Sequence, residues 1–385
     1  MTTDRNMEVG HRFLATRRIR LIQFLMLSTV KVVLTFVRFL RLFKSANSTL
    51  DRPIKLVIES GANGWELIEY QEICGSACEY LGNDSVVKVV VDDRRYYLRT
   101  LRKSLRSANP THYFYDPRTG CQGNWRSIWQ SLAVAIILQW NRAVPIAWLT
   151  DLPVRRWRMQ CFVVTAHCGV TVTLMSPRLV CDLFPHPRLA GPSLMAISTD
   201  RVINLGLLRA LQPKVDKARA VFSGSLYEPR TTILNEIQEI VHKQGHQFEI
   251  LARTLTEVRV GNEDYWLRLA QADILVSNAD QIAGPGIDDT GMPHLIFRYS
   301  EALAAGALLI APRVPGIERY LIPGKHFVSF NSIADAAEKI CFYLENEEER
   351  LKIARAGNEQ IASLTNSHAY WNAIDSALGT ESISI

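Results

Sequence analysis

The sequence predicts an α/β protein of two successive domains, each a doubly wound parallel sheet. Three observations carry that expectation. Strand-like apolar runs alternate with helix-like segments. The alternation restarts after residue 217. The 385 residues suffice for about two domains of roughly 150 residues each. With 48% hydrophobic and 21% charged residues, each domain can bury a core.

Residues 1–50 precede the first strand and are read as a separate basic, hydrophobic segment. They carry nine Lys/Arg against two Asp/Glu, and the remaining 335 residues carry 35 against 36. The net charge of +6 therefore belongs to this segment, and a nucleic-acid-binding face on the body is not expected. Within residues 12–44, Leu21–Val37 is a largely apolar run of 17 residues with Gln23 and Lys31 inside it. A spanning helix needs about 20 apolar residues, so this run is short. Arg38, Arg41 and Lys44 follow it with no small-residue cleavage site, which fits a signal peptide poorly. At about 100° per residue, Arg17, Arg20, Lys31, Thr35 and Arg38 share a helix sector that Phe24, Leu27 and Leu34 interrupt. Three readings stand: a basic amphipathic helix on an anionic membrane surface, a single membrane anchor, or a helix packed on protein. The body is expected on the cytoplasmic side. Seven cysteines (Cys74, Cys78, Cys121, Cys161, Cys168, Cys181, Cys341) with no C-x-x-C pair argue for buried free thiols in a reducing compartment.

The first domain is placed at 51–208. Its expected strands are Ile54–Ile58, Val86–Val91, His112–Tyr115, Pro145–Leu149 and Cys161–Ala166, short apolar runs that suit a buried parallel sheet. Its helices are expected at Trp65–Leu81, 94–106 and Ile128–Trp140. The second domain is placed at 209–385. Strands are expected at Lys217–Phe222, Gln247–Leu251, Ile274–Asn278, Leu308–Ala311 and Phe327–Phe330. Helices are expected from Arg230 to Gln244, at Tyr265–Ala272, Tyr299–Ala305, 332–345 and 347–362. Ligands of such sheets bind beyond the carboxyl ends of the strands, which marks the loops at 59–64, 116–124, 150–158, 223–230 and 284–301.

Two motifs stand out in those loops. In Phe222–Arg230 (FSGSLYEPR), Gly224 admits a ligand close to the backbone. The helix start with Arg230 suits a diphosphate, although a tight turn alone accounts for the same pattern. In Phe297–Pro312 (FRYSEALAAGALLIAP), Glu301 is expected in the first helical turn. There it either caps the helix or holds two vicinal ribose hydroxyls. Gly306 ends that helix, and Pro315–Glu318 turns after the next strand.

The text RYSEALAAGALLIAP, then PGIERYLIPGKHFVSF and ENEEERLKIARAG, resembles the C-terminal domain of GT-B glycosyltransferases. It is nearest to the CgeB-like, spore-maturation-type group, related to the group 1 transferases. FSGSLYEPR resembles the strand opening that domain, and WLTDLP at 148–153 the end of the first. The resemblance covers about residues 145–365. It implies two facing Rossmann-like domains and a nucleotide-diphosphate sugar held by the second. Glu301 would bind the donor ribose. Gly224, Ser225 and Arg230 would line the diphosphate, and Arg298 with the amides near Tyr299 and Ser300 would complete the phosphate pocket. Asn63 and Gly64 would face phosphates or acceptor. Many retaining members carry a second glutamate eight residues before the first. Here that position is Pro293, with His294 and Asp289 as nearby substitutes, so retention is not carried over.

Asp151 is the candidate base of an inverting reaction, or else a turn residue. Arg155–Arg158 (RRWR) is read as an anionic-acceptor patch or a solvated helix face, and His112, His167 and His186 as structural. The expected activity is metal-independent transfer of a hexosyl-type group to a glycan or lipid-linked acceptor, with Arg298 and Arg230 neutralising the leaving diphosphate and no cofactor. The competitors are a metal-dependent GT-A enzyme on Asp92–Asp93 or Asp288–Asp289, a dehydrogenase and a non-catalytic scaffold of the same fold. Gly61–Gly64 lacks the spacing a dehydrogenase needs.

Overall fold

The computed structural model describes residues 56–61, 66–91, 97–108, 111–116, 125–149, 170–173, 189–190, 196–211, 218–226, 228–253, 262–277, 296–314 and 317–379, with Ser28, Val32, Val33 and Thr35 as isolated positions. The elements run β1 (Leu56–Gly61), α1 (Glu66–Leu81), β2 (Val86–Val91), α2 (Tyr97–Ala108), β3 (His112–Tyr115), α3 (Trp125–Trp140), β4 (Val144–Leu149), β5 (Val170–Thr173) and β6 (Leu189–Ala190). Then follow α4 (Thr199–Leu211), β7 (Ala220–Ser225), α5 (Arg230–Lys243), β8 (Phe248–Arg253), α6 (Asn262–Ala270), β9 (Ile274–Val276) and α7 (Phe297–Ala304). β10 (Leu308–Pro312), β11 (Val328–Phe330), α8 (Ile333–Glu345), α9 (Glu347–Thr365) and α10 (Ser367–Gly379) complete the order.

The chain divides into two compact units, Met1–Ser193 with Tyr370–Ile385, and Leu194–Ala369. In the first unit the described strands form a parallel sheet in the order β2-β1-β3-β4-β5-β6. The period of two along β3 sends its side chains to opposite faces. Tyr113 and Tyr115 join Leu101, Leu105, Ile137 and Leu138 of α2 and α3 in one core. Phe114 turns the other way, onto Trp148 at 6.1 Å and Trp371 at 5.9 Å. Trp371 belongs to α10, and its indole N–H donates to Ser76 of α1 at 2.9 Å. That aromatic face is why the last helix returns to the first unit.

In the second unit the described strands form a parallel sheet in the order β11-β10-β9-β7-β8. Its core joins Phe222, Ile233, Leu234 and Ile237 to Ile274, Leu308, Ile310 and Ile340. α8 starts on a capping pair: Ser332 Oγ accepts from the Asp335 amide at 3.1 Å, and Asp335 accepts from the Asn331 amide at 3.0 Å. Glu347, Glu348 and Glu349 fill the first turn of α9, where the helix dipole favours them.

The expected domain boundary at 208/209 falls inside α4, within its last turn. Arg209 explains why that helix stays with the second unit. It donates to the Ala272 carbonyl at 2.7 Å and to Asp273 at 3.2 Å, and Asp273 in turn accepts from the Arg219 amide at 2.9 Å. The strand expected at Cys161–Ala166 lies outside the described residues, and β5 follows it at Val170–Thr173. α4 and α10 had no counterpart in the sequence reading. The N-terminal helix expected within 12–44 also lies outside the described residues, apart from the four isolated positions. Among the described residues no helix is long and apolar enough to cross a membrane.

His326 gives the second unit an acid sensitivity. It is buried, and its Nδ1 accepts the Ile322 amide at 3.1 Å, which only the unprotonated nitrogen can do. Burial, then Lys325, push its pKa below the usual 6.5. The unfolded chain therefore takes up this proton first as pH falls. The stabilisation is fully present above pH 6.5 and is lost as pH drops through the folded-state value. His326→Asn retains an acceptor that does not titrate. The stability gap between wild type and variant should narrow between pH 7.5 and 5, as read from urea midpoints.

Candidate functional site

The strand order of the second unit fixes where a site can form. From β7 the chain steps to β8 on one side, then crosses to β9, β10 and β11 on the other. The reversal lies between β7 and β9, and the crevice beyond their carboxyl ends is where open α/β sheets bind ligands. Gly224 and Ser225 end β7, Ser277 follows β9, and α7 brings Arg298, Ser300 and Glu301.

The side chains there form a connected set. Arg230, at the start of α5, donates Nη1–H to the Ser225 carbonyl at 3.2 Å, and its Cζ lies 5.8 Å from the centroid of the Phe222 ring. A Cβ on Gly224 would stand 3.1 Å from Phe222 Cζ and 3.9 Å from Arg298 Nη2. Glycine thus leaves a gap between the aromatic ring and the guanidinium. Arg298 Nε donates to Glu301 Oε2 at 3.1 Å, three residues on along α7. Tyr265, on α6, donates its hydroxyl to the same oxygen at 2.6 Å, and its ring lies 5.3 Å from Arg298 Cζ. A carboxylate, a guanidinium and a phenol therefore meet on one oxygen.

Neighbouring helices hold that group in place. Trp266 is fully buried and packs edge-on against Phe297 at 6.4 Å, which locks α6 to α7. At the other end of α7, Asn358 Nδ2 donates to the carbonyls of Leu303 and Ala304 at 2.7 and 3.1 Å. Gly306, at φ 71°, closes the helix as expected, with the Ala307 amide returning to the Ala302 carbonyl at 3.1 Å.

The structure brings Gly224, Ser225, Arg230, Arg298, Ser300 and Glu301 to one end of the sheet, with three corrections. Glu301 lies in the second turn of α7, not the first, and is 3% exposed, so it anchors Arg298 and Tyr265 and is no helix cap. Tyr299 is fully buried, its hydroxyl donates to the Pro312 carbonyl at 2.7 Å, and its amide donates to Ile296. The helix-start amides without such a bond inside the first turn belong to Phe297 and Arg298 instead. No side chain caps α7 among the described residues. The hydroxyls of Ser300 and Ser277 are both buried and have no hydrogen-bond partner among the described residues.

Asp151, Asn63, Gly64, Arg155–Arg158, His167, His186, Asp289, Pro293 and His294 lie outside the described residues, as do Asp92–Asp93 and Asp288. His112 is structural: its Nδ1 shares a hydrogen bond with Thr111 at 2.9 Å, and burial lowers its pKa. Among the described residues no group of three His, Cys, Asp or Glu side chains is placed to hold a metal ion. Sequence reasoning missed Tyr265 and Phe222. Tyr265 sits in an ordinary helix and Phe222 in a buried strand, and only the fold sets them beside Arg298 and Arg230.

Residues 230–376 match the glycosyl transferase-like family model. No curated protein sequence matches the chain. Sucrose-phosphate synthase from Thermosynechococcus elongatus superposes with a TM-score of 0.56 at 13% identity, over 86% of this chain and 99% of that one. Anabaena HepE in complex with UDP-glucose gives 0.52 at 11% identity, over 86% and 99%. UDP-GlcNAc 2-epimerase from Neisseria meningitidis bound to UDP-GlcNAc gives 0.50 at 11% identity, over 84% and 100%. Likeness at this identity establishes the fold, two parallel-sheet α/β units of the GT-B class.

Proposed function

We propose that this chain is a glycosyltransferase that takes a sugar from a nucleotide diphosphate held by its second unit. The observation that supports this most is the Arg298–Glu301–Tyr265 group beside Gly224, at the strand reversal of the second unit, with residues 230–376 of the chain matching a glycosyl transferase-like model. Arg298 and Arg230 supply positive charge, and the amides of Phe297 and Arg298 add the positive end of a helix. Together they suit a diphosphate leaving group without a metal ion. Glu301 is assigned to the donor ribose, with its Oε2 already held by its own neighbours. Ser300 and Ser277 offer hydroxyls at the same end of the sheet.

The finer parts of the reading are proposals from the sequence. They are the CgeB-like subtype, a hexosyl donor, a glycan or lipid-linked acceptor, Asp151 as base, Asn63 and Gly64 toward the ligand, and residues 12–44 on an anionic membrane on the cytoplasmic side. A second reading is favoured by the fold itself, because the Neisseria protein that shares it is an epimerase bound to UDP-GlcNAc.

The test follows the fate of the sugar. The full chain is incubated with UDP-glucose and UDP-GlcNAc, with and without a membrane and glycan extract, and products are read by mass spectrometry and NMR. Release of UDP that depends on the extract supports the transferase. Interconversion of UDP-sugars without it would establish the epimerase reading instead. Binding with neither outcome would leave a non-catalytic scaffold.

A further inference from the structure

We infer that Tyr265 is a positioning residue: it holds the Arg298 guanidinium against the glycine end of β7, where the diphosphate of the proposed donor binds. The inference rests on the function proposed above. An arginine side chain has four flexible torsions and loses much rotamer freedom when fixed. Something must fix it before a ligand arrives if the ligand is not to supply that ordering itself. Two of the contacts that hold Arg298 are with described residues of this group. Its Nε donates to Glu301 Oε2 at 3.1 Å, and its Cζ sits 5.3 Å from the Tyr265 ring centroid. With those two contacts made, Nη2 reaches to 3.9 Å from the Cβ position of Gly224.

Tyr265 contributes to both contacts. Its ring face carries the cation, and its hydroxyl, donating at 2.6 Å, keeps Glu301 Oε2 in line for Arg298 Nε. The tyrosine itself is held edge-on at 5.6 Å by its buried neighbour Trp266. The chain thus uses a phenol on α6 to aim a cation on α7 at a turn on β7. None of the three residues lies near another in sequence.

Two variants of the full chain separate ring from hydroxyl: Tyr265→Phe keeps the ring, and Tyr265→Leu removes both. Affinity is measured by calorimetry for UDP, GDP, ADP and dTDP, and for the nucleoside matching the tightest of them. Tyr265→Phe should weaken the diphosphate about 5- to 10-fold, the size of one ordinary hydrogen bond, because the loss acts on the ligand only through Glu301 and Arg298. Tyr265→Leu should weaken it about 30-fold or more, and the nucleoside, which meets Glu301 but not Arg298, should weaken clearly less than the diphosphate in both variants. The Arg298 Nε–Hε NMR signal should broaden in both variants. Equal diphosphate affinity in all three proteins would overturn the inference while leaving the proposed function standing. Parallel loss of diphosphate and nucleoside would also overturn it, by showing a merely structural tyrosine. A folded wild type that binds none of the four diphosphates would overturn both readings.

Discussion

Gly357→Ala should destabilise the second unit by about 3 kcal/mol or more, the upper end of the cost of overpacking a filled site. A Cβ at this position would stand 2.3 Å from the His326 carbonyl oxygen and 2.7 Å from Leu303 Cδ2. The first of these is backbone and cannot swing away. Relief requires α9 to move off the backbone at His326, and the next residue, Asn358, is the one that holds the last carbonyls of α7. The substitution should therefore also loosen Glu301, which lies on the same short helix, and weaken nucleotide binding in whatever fraction stays folded. Urea titration followed by tryptophan fluorescence checks the first effect. A midpoint equal to that of wild type would show that α9 does not approach the His326 carbonyl as closely as described.

Glu301→Ala should cost both stability and ligand. The carboxylate side chain is 4% exposed and the Arg298 side chain 18% exposed, so truncation leaves a largely buried cation and a phenol without their shared acceptor. Breaking a buried pair in this way costs about 3–5 kcal/mol; with Arg298 partly in solvent the lower end, about 3 kcal/mol, is expected. Glu301→Gln keeps the volume and an acceptor oxygen, so it should stay folded. It should still lose about 100-fold in affinity for the nucleoside diphosphate, because the oxygen that orients Arg298 is no longer charged. Full affinity in a folded Glu301→Gln protein would remove Glu301 from the site.

Much of the architecture was legible because parallel strands buried on both faces read as short continuous apolar runs. β2 at Val86–Val91 and β3 at His112–Tyr115 lie where VVKVVV and HYFY predicted them. The boundary was harder, because what ties α4 to the second unit is Arg209 reaching carbonyls 61 and 63 residues away, and no local pattern signals that. The returning helix α10 was hidden for the same reason: its Trp371 is matched to Ser76 and Phe114 of a distant segment.

The site was legible where chemistry is local. Gly224, Arg230 and Glu301 were singled out by residue type and spacing, and Arg298 by the family resemblance, and the fold sets all four at one end of the sheet. Their mutual roles were not legible. A carboxylate in a helix's opening stretch reads as a cap until the fold places Tyr265 against it. The amide of Tyr299 reads as a phosphate ligand until its bond to Ile296 is seen.

The central claim is that the end of β7 and the start of α7 form a diphosphate site built on Arg298. Comparing UDP and UMP binding to the full chain and to Arg298→Met tests it most directly. Methionine keeps the length and apolar body of the side chain and removes only the cation. The account predicts that wild type prefers UDP over UMP by about 10-fold or more, and that Arg298→Met binds the two nearly alike. An undiminished preference for UDP in Arg298→Met would contradict it.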